Sequence, residues 1–275
     1  MGTSSSYNGP GKRPDLIPPW AREQVEGPPT PESDDTSPEA PTPPPAPDQT
    51  PVPSFWPALK RAAGRAAAAG VGGSSVGGLA RGYVRALGGR RAAAAAAVSG
   101  ASTGASLAGF LAFARDNGLV ASLTARNVPA LKADGPEAVL AAIADLLAPD
   151  GAEREEAVAR AALMETFRDW CELHRDDPDI GLTDPDAMKE LLGAYLTNYV
   201  IEKASEELGA CIERRAADAN DVHVFYDGFK DTLRAFIKLD LSGLDAGAIN
   251  WQGEDGKAFI RRQLGNAYGL MEDTP

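Results

Sequence analysis

From about residue 100 onward, large apolar side chains recur at steps of three and four, the period of one helix face. Pro136 opens a predicted helix whose stripe is Val139, Leu140, Ile143, Leu146 and Leu147, and Pro149 ends it. A second runs from about Ala152 to His174, with Ala157, Ala161, Met164, Phe167, Cys171 and His174 in line. The clearest follows Thr183-Asp184-Pro185, a capping residue ahead of a proline at the first helical position. Its stripe of Met188, Leu191, Leu192, Tyr195, Leu196, Tyr199, Val200, Leu208, Cys211 and Ile212 reaches roughly Arg215. Another helix begins near Asp221 and presents Val222, Phe225, Tyr226, Phe229, Leu233, Phe236 and Ile237. A last one covers Glu254 to Leu270 with Phe259, Ile260, Leu264 and Tyr268. No clear period-two alternation appears, so the folded part is expected to be an all-α helical bundle.

Upstream the pattern changes character twice. Residues 54 to 100 start with Phe55-Trp56-Pro57 and continue as Ala and Gly runs, with Gly70 to Gly78 predicted to act as a hinge between short alanine-rich helices around 58–69 and 92–98. Residues 1 to 53 hold 15 of the 22 prolines, among Ser, Thr, Glu and Asp, and have too little apolar surface to offset the entropy of ordering. The expected organisation is a disordered Pro-rich arm over 1–53, an Ala/Gly/Arg-rich connector over 54–100 and an α-helical domain over 101–275.

Charge sharpens this division more than the net value of −12 does. The arm is acidic, residues 51 to 115 carry eight basic side chains and no acid, and everything after them is strongly acidic. Lys60, Arg61, Arg65, Arg81, Arg85, Arg90 and Arg91 form the basic stretch, with Arg61/Arg65 and Arg81/Arg85 spaced to share a helix face. Such a stretch can contact nucleic-acid phosphates, or it can dock on the chain's own acidic C-terminal part. Only Tyr83 lies near it, which is thin aromatic interleaving for single-strand binding.

Conventional active-site signatures are missing. Neither a GxxxxGK[ST] loop nor a GxGxxG turn occurs, and Asp184 and Asp186 read as helix-start charges. Cys171 and His174 share a helix face, but two ligands do not close a zinc site, and Glu172, Asp176 and Asp177 beside them read as a solvated helix end. The reading is therefore no catalytic centre, no metal and no cofactor. Cys171 and Cys211 lie 40 positions apart without a CxxC, and no export segment is recognisable, so a reduced, cytoplasmic setting is expected. Residues 92 to 114 carry no charge over 23 positions, long enough on paper to cross a bilayer, yet they are mostly Ala, Ser, Gly and Thr. Gly100, Gly104 and Ala108 suit close helix packing, with a partner protein as one candidate.

What remains is the amino terminus. Removal of Met1 exposes Gly2, whose unhindered α-amine has a pKa near 8 and is a usable nucleophile in neutral solution. The M-G-x-x-x-[ST] pattern ending at Ser6 would propose N-myristoylation in a eukaryote, whereas heavy use of Ala, Gly, Arg and Pro has the look of a GC-rich bacterial gene. Thr3, Ser4, Ser5, Ser6, Tyr7, Gly9 and Pro10 keep the tip narrow and extendable, and Leu16, Ile17, Pro18, Pro19 and Trp20 form a second, apolar patch.

The run Met1 to Tyr7, then Gly9-Pro10, then Leu16-Ile17-Pro18-Pro19-Trp20-Ala21 resembles the start of the QatB family, with Asn8 standing where a second glycine is expected. QatB is the B component of the bacterial Qat anti-phage defence system. The resemblance implies a non-catalytic role beside an ATPase, a QueC-like enzyme and a TatD-like nuclease. QueC enzymes activate a carboxylated 7-deazaguanine with ATP and pass it to ammonia as an amide. It implies further that a QueC-like partner could join the deazaguanine to Gly2, with residues 3–10 threading into that enzyme and Leu16–Trp20 anchoring on its surface.

Overall fold

A computed structural model describes residues 55–68, 73–128, 135–149, 151, 153–174, 181–184, 186–214, 219–245 and 249–273. Among these residues there is no strand, so the all-α reading holds. The helices are α1 (Trp56–Ala68), α2 (Gly73–Ala86), α3 (Arg90–Ala96), α4 (Val98–Asn117), α5 (Leu119–Ala125), α6 (Gly135–Leu147), α7 (Arg154–Leu173), α8 (Ala187–Glu213), α9 (Ala219–Leu241) and α10 (Glu254–Asp273).

Helix α8 is the axis of the bundle. Its expected stripe is buried except at half-buried Cys211, and burial continues around the helix through Thr197, Asn198, Ile201, Lys203 and Ala204. The reason is that α1, α4, α7, α9 and α10 all pack on it, leaving little of its surface for water. Polar groups on the buried sides are satisfied: Asn198 Nδ2 donates to Thr166 Oγ1 at 3.0 Å, and Thr197 Oγ1 donates to the Gly193 carbonyl at 2.8 Å. The helix starts later than its sequence signature implies. Asp186 is the N-cap residue and Asp184 Oδ1 accepts its backbone N–H at 2.9 Å, so these two acids precede the first turn, which carries Glu190 instead.

Helix α7 has the expected span but not the expected inner face. The residues facing the core are Val158, Ala159, Ala162, Leu163, Thr166, Phe167 and Trp170, while Ala157, Ala161 and Met164 are exposed. The helix has apolar residues on a wide arc, and α4 and α8 claim the side bearing the bulkiest of them, Phe167 and Trp170. A capping box between Glu153 and Glu156 fixes its start. On α9 the line that goes inward is Phe229, Leu233, Ile237 and Leu241, and Phe236 lies off it, 39% exposed.

The Ala/Gly-rich segment does form short helices; of the glycine run, Gly70 to Gly72 lie outside the described residues, and the part from Gly73 onward is helical. Gly77 and Gly78 are helical within α2, because Leu79, Ala80, Tyr83 and Val84 of the same helix bury against α1 and α10, and that packing outweighs glycine's poor helix propensity. The sharp turn comes later, at Gly88 and Gly89, with φ of 91° and 88° that only glycine adopts without strain. Residue 100, the expected boundary between connector and domain, lies inside α4. Leu59, Ala63, Leu79, Tyr83, Val84, Ala93 and Ala97 on one side of it share a single core with the later helices.

The uncharged run 92–114 is divided between α3 and α4, which bend by 68° at Ala97. No single helix among the described residues is long and apolar enough to cross a membrane. Gly100 and Gly104 do mediate close packing, but against this chain itself. A Cβ at Gly100 would lie 2.4 Å from the Tyr199 ring, and one at Gly104 would lie 3.0 Å from Tyr195 and from Ile260. The Tyr195 hydroxyl then donates to the Gly100 carbonyl at 2.9 Å, fixing the two helices in register.

Candidate functional site

Four helices bring their polar side chains to one buried layer. Tyr83 of α2, Tyr199, Lys203 and Glu207 of α8, Glu155 of α7 and Tyr268 of α10 meet there, with Tyr83, Tyr199 and Tyr268 essentially without solvent exposure. The Glu155 carboxylate accepts from the Tyr199 hydroxyl with one oxygen and from Lys203 Nζ with the other. This charge-assisted pairing is what permits Lys203, only 8% exposed, to stay inside. Burial pushes the hydroxyls of Tyr83, Tyr199 and Tyr268 far above the ordinary phenol range, helped by the negative charge of Glu155 and Glu207. Burial likewise raises the Glu207 carboxyl. Phenols so displaced stay protonated, and the Tyr199 hydroxyl donates to Glu155, whereas the buried Tyr83 and Tyr268 hydroxyls find no hydrogen-bond partner among the described residues; the layer is poorly suited to proton abstraction.

From the sequence, Tyr199 and Tyr268 are stripe positions and Tyr83 is an aromatic beside the basic stretch, while Glu155, Lys203 and Glu207 carry no assigned role. Tyr195, Tyr199 and Tyr268 were legible as inward-facing, but Glu155 sits in the first turn of α7, where a carboxylate ordinarily caps. The available signal was the spacing of Lys203, four residues after Tyr199 and so on the same inward face of α8, where a cation needs a carboxylate.

The basic residues come out on the surface. Lys60, Arg61, Arg65, Arg85, Arg90 and Arg91 are exposed and make no ion pair with another described residue. Arg81 is half-buried. Arg90 lies across Gly269 of α10, and Lys60 lies 6.0 Å from the Trp56 ring, a loose cation–π arrangement. Docking of Lys60, Arg61, Arg65, Arg85, Arg90 and Arg91 on the chain's acidic part by ion pairing is thus not seen among the described residues.

Cys171 and His174 do not form a reactive pair. The His174 ring stacks on Trp170 at 4.0 Å, and burial together with Glu137 raises the Cys171 thiol, the reverse of what activates a nucleophile. Among the described residues no group of three or more His, Cys, Asp or Glu side chains can hold a metal. Gly2, Thr3 to Tyr7, Gly9, Pro10 and Leu16 to Trp20 lie outside the described residues.

Comparison with curated proteins finds no match, nor does comparison with solved structures. A family model described as the Qat anti-phage system associated protein QatB matches residues 88–271. The chain belongs to the QatB family. That match begins at the Gly88-Gly89 turn and runs through α10, so it spans most of the bundle, Tyr199, Lys203, Glu207, Glu155 and Tyr268 included. It does not include α1, α2 or the first 21 residues, where the resemblance was first seen. Membership places the chain in anti-phage defence, among partner Qat proteins. The family description names an associated component and no catalytic activity.

Proposed function

We propose that this QatB-family chain is the protein substrate of its defence system, conjugated at Gly2 to a 7-deazaguanine by a QueC-like partner. The observation that carries this reading is the pairing of a QatB-family bundle with a free-amine tip, Gly2 followed by four small hydroxyl residues, Thr3 to Ser6. With a pKa near 8, a useful share of the glycine amine is unprotonated at neutral pH. The amine nitrogen attacks the ATP-activated carboxyl carbon of the deazaguanine and forms an amide. The activating group leaves with its bonding pair, and the nitrogen sheds a proton. Narrow residues from Thr3 to Pro10 give the amine access to an enclosed site, and Leu16 to Trp20 supply apolar anchoring outside it. The helical part serves as an adaptor for the ATPase and the TatD-like nuclease. Its own Cys171 and His174 take no part in chemistry.

The test is reconstitution of the full chain, lacking Met1, with the QueC-like partner, ATP and the carboxylated deazaguanine, followed by peptide mapping. The expected result is one adduct on the Gly2 peptide. An adduct elsewhere, or none while the partner still makes its amide with ammonia, contradicts the reading.

A second reading is favoured by one specific observation, the six exposed basic side chains of α1 to α3 that make no ion pair with another described residue. On that reading the chain is a nucleic-acid-binding sensor or adaptor. Binding would weaken steeply with salt, and Arg61→Ala with Arg65→Ala would lower the salt slope by about one unit per lost phosphate contact.

A further inference from the structure

Helices α6 and α7 leave between them an open groove of about 610 Å³, within the size range of sites that hold large side chains or drug-sized ligands. Leu140 and Phe167 form its floor, and Ala161 and Met164, the latter 41% exposed, line its sides. Two of its acids lie at one end. Glu137 is in the first turn of α6 and Glu172 in the last turn of α7, and the charge of Glu137 reaches Cys171, the residue before Glu172. Both carboxylates are exposed and make no ion pair with another described residue. Arg168, a cation lining the groove, is paired with Glu165. An occupant that fits brings a large apolar side chain with positive charge close behind it.

Helix α1 carries that combination on its outer face. Phe55, directly before the helix, is 50% exposed, and Ala58, Lys60, Arg61 and Arg65 are exposed along it. Ala58, Arg61 and Arg65 follow Phe55 at steps of three and four, so one face presents an aromatic ring and then two cations. From residue 51 to residue 115 the chain has no acid to neutralise them. Lys60, Arg61 and Arg65 make no ion pair with another described residue. On the inner side Leu59 and Ala63 are buried and the helix packs on α2, α8 and α9, and none of its described residues lines the groove.

We propose that this face of α1 docks into the groove between α6 and α7 of a second copy of the chain, with Phe55 against Leu140 and Met164 and with Arg61 and Arg65 toward Glu137 and Glu172. The helix is fixed in its own bundle, so the complement to the groove comes from a neighbour. The two surfaces differ, which makes the contact heterologous: each copy offers its groove to one neighbour and its α1 to another, and assembly runs past the dimer into a ring or a chain. Apolar contact supplies the seat, while the exposed charge pairs set its direction and make it sensitive to salt. Each added copy brings one more amino terminus, a multivalent display to the partner Qat proteins. Cations engaged in this way are not open to a nucleic acid, so the contact competes with nucleic-acid binding. It does not depend on whether Gly2 is modified.

Sedimentation velocity on the full-length chain, purified without partners, tests this. At about 0.1 M salt the mass should rise with concentration past that of a dimer, and about 1 M salt, which shortens the Debye length from about 10 Å to about 3 Å, should weaken association about tenfold. Met164→Asp blocks the groove, and Phe55→Asp with Arg61→Ala blocks the α1 face; all three positions are exposed, so the circular dichroism spectrum should not change. Each variant by itself should be monomeric. Their equimolar mixture should give a dimer and nothing larger, because it joins one intact groove to one intact α1 face. A wild-type chain that is monomeric throughout, a variant that assembles by itself, or a mixture that stays monomeric overturns the inference. Monomeric wild-type protein that binds duplex DNA through Arg61 and Arg65 also overturns it, since the occupant of the α1 face would then be a nucleic acid.

Discussion

Helices α4 and α9 are both buried on α8, and they get there by opposite means. Helix α9 follows the familiar plan, with Phe229, Leu233, Ile237 and Leu241 on one inward line and its remaining described faces mostly exposed. Helix α4 has almost no such line. Gly100, Ala101, Thr103, Gly104, Ala105, Leu107, Ala108, Phe110, Leu111 and Ala114 are buried around much of its circumference. The volume comes from its neighbours: Tyr195 and Tyr199 of α8 and Ile260 of α10 fill the space that Gly100 and Gly104 leave open. A helix can thus be central because it is thin, and its own hydrophobicity then says little about where it sits.

The two modes respond differently to perturbation, and the largest contrast should come from alkali. Tyr195 and Tyr199, which seat α4, and Tyr83 and Tyr268 beside them have folded-state hydroxyl pKa values raised by burial above the unfolded value of about 10. Their contribution to stability is complete below pH 10 and is lost as pH rises above it, because the unfolded chain then binds fewer protons than the folded one. Each phenol that must be released costs up to about 1.4 kcal/mol per pH unit, so urea midpoints should fall steeply between pH 10 and 11. Tyr199→Phe should make that fall shallower by about one proton. A pH-independent midpoint in this range would contradict the packing described.

Next in size is the α9 line. Leu233→Ala should destabilise by about 2–5 kcal/mol through lost burial and a cavity against α8, measurable by urea unfolding at neutral pH. Smaller, and more discriminating, is one substitution made in both helices. Gly100→Ala drives a methyl into the Tyr199 ring and should cost about 1–3 kcal/mol. Gly228→Ala in α9 meets nothing within 4 Å and should stabilise by about 0.5–1 kcal/mol through helix propensity alone. Equal effects at the two glycines would remove the distinction between thin and amphipathic helices.

The sequence made α9 easy to read and α4 hard for the same physical reason. Periodicity registers large side chains, so α6 to α10 were placed within a few residues from their stripes. It does not register which flank of a broad apolar arc the neighbours claim. That is why Ala157, Ala161 and Met164 of α7 were expected inside, although all three are exposed and Ala161 and Met164 line an outer groove. Nor does it register that a few apolar residues in a glycine-rich stretch suffice when they meet a distant helix. Leu79, Tyr83 and Val84 do so by packing where α10 returns to the amino-terminal helices. The buried Glu155–Lys203–Tyr199 pairing was beyond reach, because its members lie on two helices 44 and 48 positions apart and each has an innocent local explanation.

The family was visible twice, from opposite ends of the chain: in the first 21 residues as a resemblance, and over residues 88–271 as a match. The proposed chemistry belongs to the first of these and the fold to the second. Intact-mass measurement of the chain after co-expression with its QueC-like partner bears most directly on the connection between them. The account predicts loss of Met1 and a mass gain equal to one carboxylated deazaguanine less one water, absent in a Gly2→Pro chain whose circular dichroism is unchanged. Full-length chain recovered with an unmodified Gly2 beside an active partner would contradict it.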